Sequence, residues 1–194
     1  MKKKIAVFVS GGGSDMQSVI DAIENGSLNA EISVVIAGKE GIFAIERAKK
    51  HGLEVRVFQK KNYAVLDDMY AEIVALLKSL GVEYVVLAGY LTILTPNIVQ
   101  AYDKKIINIH PSLIPKFCGK GFYGMKVHRA VIEAGEKKSG ATVHYVDEGA
   151  DTGEIIAQAE VEVKDGDTPE TLQARVLEAE HVLLPQTLIK LFNE

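Results

Sequence analysis

Five short runs, Ile5–Val9, Glu31–Ala37, Glu54–Phe58, Tyr84–Ala88 and Ile106–Ile109, are rich in β-branched residues and nearly apolar throughout. A strand with one wet face alternates, so near-continuous apolarity over this length predicts strands buried on both faces. Between them lie amphipathic stretches, Asp15–Asn25, Ile42–His51 and Val65–Leu80, each closed by a glycine (Gly26, Gly52, Gly81) where a helix takes a left-handed residue. Repeated strand–helix–strand units predict a parallel sheet with right-handed crossovers and helices on both faces. Beyond His110 the pattern changes. Ala141–Val146 and Ile155–Val163 read as strands separated by an acidic turn, an antiparallel addition to the sheet near the C-terminus. A last helix follows, with Thr168 as cap, Pro169 in first position, an apolar stripe of Leu172, Val176, Leu183, Leu188 and Leu191, and a kink expected at Pro185. The fold class is α/β: an open, mostly parallel twisted sheet, Rossmann-like, in a single domain over residues 1–194.

Composition narrows the function classes. With 22 Lys and Arg against 26 Asp and Glu, the net charge is −4, which argues against nucleic acid or an anionic membrane as the main partner. Cys118 is the only cysteine, so an internal disulfide and a Cys-based zinc cluster are both excluded, and a cytoplasmic location fits. The opening Met1-Lys-Lys-Lys imitates a signal peptide, but the apolar run after it is too short for one and reads as the first strand. The longest apolar stretch, Tyr84–Leu94, falls far below a bilayer span. A soluble protein is expected.

Two segments carry candidate chemistry. The first strand runs into Ser10-Gly-Gly-Gly-Ser-Asp15 and then a helix, which leaves backbone N–H groups free to bind an anion. It is neither a Walker loop nor the dinucleotide fingerprint, and it reads equally as a flexible turn; the carboxylate of Asp15 would repel a phosphate. The fifth strand ends in Asn108-Ile-His-Pro-Ser112, placing Asn108 and His110 on one face at the carboxyl edge, where open α/β sheets bind ligands. An amide can donate to a developing oxyanion and an imidazole can exchange protons. Asp151, in the turn Asp147–Gly153, is a candidate third member. The other histidines read as structural: His51 at a helix end, His144 as a core or supporting group, His128 and His181 on helices. No His-Glu-x-x-His motif is present, so no metal is expected. Lys116 to Val131 has four basic residues, aromatics, glycines and no acid; it reads as a mobile basic flap or as a solvated loop.

Six motifs in register resemble the phosphoribosylglycinamide formyltransferase family of folate-dependent enzymes: Ser10–Gln17, Val86–Leu91, Asn108–Pro115, Val143–Val146, Asp151–Gly153 and Glu180-His181. The resemblance implies transfer of the formyl group of 10-formyltetrahydrofolate to glycinamide ribonucleotide. It implies Asn108, His110 and Asp151 as the catalytic trio, and Gly13, Ser14, Asp15 and Glu180 as contacts of the nucleotide. Leu91, Thr92, Ile93 and Leu94, with Asn108, are implied to line the folate pocket. The Asn-x-His-Pro-Ser motif is shared with methionyl-tRNA formyltransferase and formyltetrahydrofolate deformylase. Each of those carries an extra domain for which 194 residues leave no room. Two positions depart from the family pattern: Asp15 stands where Asn is common, and Thr92 where Arg is. A hydrolase releasing formate, and a non-catalytic folate- or nucleotide-binding module, are the competing expectations; a monomer or homodimer is expected.

Overall fold

A computed structural model describes residues 1–193. Seven strands, β1 (Lys3–Val9), β2 (Ala30–Ala37), β3 (Val55–Val57), β4 (Tyr84–Leu87), β5 (Ile106–His110), β6 (Lys138–Tyr145) and β7 (Ile155–Glu162), form one sheet in the order β3-β2-β1-β4-β5-β6-β7. The first five are parallel, and β6 runs antiparallel to both β5 and β7. Six helices accompany them: α1 (Ser14–Glu24), α2 (Phe43–Lys50), α3 (Leu66–Ser79), α4 (Pro96–Ala101), α5 (Met125–Glu133) and α6 (Pro169–Asn193).

Alternation along the strands divides the core into two layers. From β1, Ile5, Val7 and Val9 pack with Met16 and Val19 of α1, Ala44 of α2 and Leu172, Val176 and Leu184 of α6. Ala6 and Phe8 face the other way, against Met69, Tyr70, Ile73 and Leu77 of α3 and Ile98 of α4. Both faces of the central strands are therefore covered, which is why they read as continuous apolar runs. Strand β3 departs from that expectation. It is a three-residue edge strand, and Val57 is 38% exposed because only β2 pairs with it.

The helix ends follow the predicted chemistry. Gly26, Gly52 and Gly81 all adopt positive φ just past their helices. At the start of α6, Thr171 N donates to Thr168 Oγ1 at 3.3 Å, and Thr168 N donates to Thr171 Oγ1 at 2.9 Å, a reciprocal cap. Helix α6 runs on past Pro185, which lies inside it. The basic flap is corrected in part: its second half is helix α5, Lys116 is ion-paired with Glu136 at 2.8 Å, and Lys126 Nζ donates to Tyr123 Oη at 2.9 Å.

What positions a site is the reversal of strand order at β1. From β1 the chain moves outward through β2 and β3, then returns to place β4 and β5 on the other side. The connections leaving β1 and β4 diverge there and open a crevice at the carboxyl edge.

Candidate active site

That crevice is a cavity of about 740 Å³, and Gly13, Ser14, Asp15, Leu91, Thr92, Ile93, Leu94, Asn108, His110, Asp151 and Glu180 all line it. One cavity thus gathers the eleven residues that the family resemblance implied for catalysis and binding.

At one end, the glycine loop turns into α1 through Gly13, whose φ of 72° is left-handed. A Cβ there would lie 2.7 Å from the Ala44 side chain, so only glycine lets α2 approach this closely. The loop's carbonyls point away from the cavity: Ala44 N donates to Gly11 O at 3.1 Å, Arg47 Nε to Gly12 O at 2.9 Å, and Gln17 N to Gly13 O at 3.0 Å. Among the described residues, no backbone N–H from Gly11 to Asp15 has a protein acceptor. Unspent donors at a helix N-terminus suit an anion.

Beside the loop sit two buried carboxyls. Burial pushes the Asp15 carboxyl up to about 6, while His181, 3.8 Å away, pulls it down. Glu180 is raised well above the ordinary carboxylate range, first by burial and then by Asp15. A carboxyl with the value of Asp15 is mostly ionised at pH 7, so the repulsion expected from the sequence persists there and eases only as pH falls toward 6.

At the centre, the β5–β6 register sets Asn108 opposite His144. His144 Nδ1 donates to the Tyr145 carbonyl at 2.8 Å, so the neutral ring accepts at Nε2, and the Asn108 Nδ2 amide donates to it at 3.0 Å. Burial holds the His144 ring below its ordinary value, against the pull of the Tyr145 carbonyl and Asp151. Asp151 stands between two imidazoles: Oδ2 is 3.6 Å from His110 Nδ1 and Oδ1 is 3.7 Å from His144 Nε2. The same carboxylate accepts from Gly119 N at 2.8 Å, and Asp151 itself has φ of 57°. His110 Nε2 donates to the Phe117 carbonyl at 3.0 Å. His144 is therefore a buried partner of Asn108 within the cluster, in keeping with its reading as a core or supporting group. His128 also lines the cavity, pushed down to about 4 by burial and then by His110. Ser112 Oγ is turned away, donating to Lys116 O at 2.7 Å.

The far wall is apolar. Leu91 and Ile93 line the cavity yet are 60% and 64% exposed, a surface suited to a flat, largely apolar ligand. Thr92 adds no charge, and Lys120 is the one Lys or Arg among the cavity's lining residues. Among the described residues, no group of three or more His, Cys, Asp or Glu side chains is placed to hold a metal ion, and no helix is long and apolar enough to cross a membrane.

Residues 3–188 match the family model described as formyl transferase. A chloroplastic phosphoribosylglycinamide formyltransferase of Arabidopsis thaliana is 45% identical over 94% of this chain, which spans 63% of that relative's length. A phosphoribosylglycinamide formyltransferase of Haemophilus influenzae is 41% identical over 99% of this chain and 88% of its own. The crystal structure of a phosphoribosylglycinamide formyltransferase from Bacillus halodurans superposes with a TM-score of 0.93, at 39% identity, covering 99% of this chain and 96% of that one.

Proposed function

The chain belongs to the formyl transferase family, and from that premise we propose that it transfers the formyl group of 10-formyltetrahydrofolate to the primary amine of glycinamide ribonucleotide. The observation that carries this reading is the convergence, in one cavity, of an anion-binding loop, an apolar wall and an Asn–His–Asp cluster between them. The two ends fit the two substrates: a phosphate at the N–H groups of Gly11–Asp15 and a folate ring against Leu91–Leu94.

The amine attacks the formyl carbon, a C–N bond forms, and charge moves to the formyl oxygen. Asn108 keeps one amide N–H on His144 and offers the other to that oxyanion. His110 keeps a proton on the Phe117 carbonyl, and an oxyanion, the stronger acceptor, replaces the carbonyl as charge develops. Asp151 stabilises the charged imidazole beside it and orients the ring. Collapse of the intermediate breaks the bond to the folate nitrogen, which takes the electron pair and a proton, while the former amine loses one. Glu180, buried at the nucleotide end, is assigned to contact the glycinamide, a role its burial beside Asp15 in the cavity supports. All of this lies in one formyltransferase domain, residues 1–194, and a cytoplasmic location belongs to the same reading.

Deformylation of the folate, followed with and without glycinamide ribonucleotide, tests it. Turnover that requires the nucleotide is expected; equal turnover without it would make the protein a hydrolase, and binding without turnover would make it a non-catalytic module.

A further inference from the structure

Arg47, on α2, has a role that none of the motifs above assigns. The cavity is lined by Asp15, Asp147, Asp151 and Glu180, against the single cation Lys120. A phosphate monoester brings close to two further negative charges at neutral pH. Backbone N–H groups alone would have to hold it in an acidic setting.

The guanidinium of Arg47 lies directly behind the loop. Its Nε donates to Gly12 O at 2.9 Å, one Nη donates to Gln17 Oε1 at 3.4 Å, and its charge sits 4.8 Å from the centre of the Phe43 ring. Among the described residues it has no carboxylate within 4.0 Å, whereas Arg56 and Arg175 are each paired with one. An arginine without a counter-ion, in a chain of net charge −4, is spent on a glycine carbonyl.

The peptide unit explains what that achieves. The C=O of Gly12 and the N–H of Gly13 belong to one planar amide and point in opposite directions. Drawing the carbonyl toward α2 therefore turns the Gly13 N–H toward the cavity. The donor from Ala44 to Gly11 O and that from Gln17 to Gly13 O do the same for the neighbouring amides. Those two are backbone groups; Arg47 is the side chain that completes the set and the only one with a full charge.

We propose that Arg47 is the positioning residue of the phosphate-binding loop: it aims the loop N–H groups at the substrate's phosphate, and its charge offsets that of the dianion from behind. This rests on the nucleotide being the substrate, and it goes further by naming what makes an acidic cavity accept a phosphate. The charge acts through one layer of backbone, at partly screened distance. It raises affinity without touching the reacting atoms.

The test compares wild type, Arg47→Gln and Arg47→Lys. Inorganic phosphate is titrated in while the amide resonances of Gly12, Gly13 and Ser14 are followed, and steady-state kinetics are measured at several ionic strengths. Arg47→Gln is expected to weaken phosphate binding and raise the nucleotide KM by about tenfold, the size of a lost charge-assisted contact. Its kcat stays within about twofold and its folate KM is unchanged, because the interaction is equal in ground and transition states. The salt dependence of the nucleotide KM becomes shallower. Arg47→Lys keeps the charge but loses the fixed fork, and falls between the two. Phosphate affinity and nucleotide KM within twofold of wild type in Arg47→Gln would overturn the proposal. So would a parallel loss of folate binding with a lowered melting temperature, which marks a general support of helix packing. If Arg47→Gln fails to fold, the shift and salt dependence of Arg47→Lys decide by the same criteria. Should wild type not formylate the nucleotide while its phosphate titration still depends on Arg47, the substrate assignment fails and the loop assignment stands.

Discussion

The two ends of the cavity are built on opposite principles. The glycine loop is a stretch of backbone, five residues contiguous in the chain, whose donors are main-chain N–H groups and whose shape is held by three hydrogen bonds to its own carbonyls. The Asn108–His110–His144–Asp151 cluster is made of side chains drawn from β5, β6 and the turn after β6, with each contact set by cross-strand register or loop closure. A backbone site spreads its work over several equivalent donors, so most side-chain changes shift its affinity by degrees. A side-chain site has one group for each task, and a single substitution removes that task outright.

The sharpest way to break this contrast is at the cluster. His110→Ala and Asn108→Ala are each expected to lower kcat by about 10²–10³, with KM for either substrate little changed, since both groups act on charge that exists only in the transition state. Near-normal kcat in either variant would show that the cluster is as redundant as the loop.

Next in size is Gly13→Ala, the loop glycine at which an added side chain has no room. Its φ of 72° and the 2.7 Å approach to Ala44 oblige the chain to shift, at a cost of about 1–3 kcal/mol. A lower melting temperature and a raised nucleotide KM with kcat retained are expected. An unchanged KM would mean that the loop does not hold the phosphate.

Asp15→Asn sharpens the comparison through pH. With its folded carboxyl at about 6 against 3.8 in the unfolded chain, Asp15 binds more proton in the native state between those values. Stability contributed by this group is therefore complete below the lower value and is lost as pH rises through the upper one. Removing the ionisable group should leave stability at pH 4 nearly unchanged and raise it at pH 7.5 by on the order of 1–3 kcal/mol. The nucleotide KM should fall several-fold at neutral pH, by about 1 kcal/mol of relieved repulsion. Denaturant titrations at the two pH values that show equal gains, or none, would show that the fold does not raise the carboxyl's affinity for protons.

The smallest effect is expected from Lys120→Gln, which removes the lining cation from the segment Gly119–Gly121. A rise of no more than about threefold in the KM of one anionic substrate, fading with added salt, is predicted. A salt-independent change would point to packing instead of charge.

Much of this arrangement was legible from the chain because it depends on local periodicity. The apolar runs and glycine-closed helices determined the parallel strands, and the spacing of two between Asn108 and His110 put both on one face of β5. The glycine loop announced itself for the same reason, since its donors are neighbours in sequence. Helix α4 escaped because six residues are too few for a period to show, and α5 because it lies largely within the basic, glycine-rich stretch read as a flap. Other features were settled only by tertiary contact. Nothing local pairs Asn108 with His144; the antiparallel register of β5 and β6 does. Asp151 reaches two imidazoles because the turn after β6 folds back with a left-handed residue at its tip, and Arg47 reaches Gly12 because α2 packs against the start of α1. A periodic pattern specifies which way a side chain faces, because that follows from the geometry of one strand or helix. What it meets there depends on where the rest of the chain is packed, and that is a balance of many distant contacts which no single segment contains.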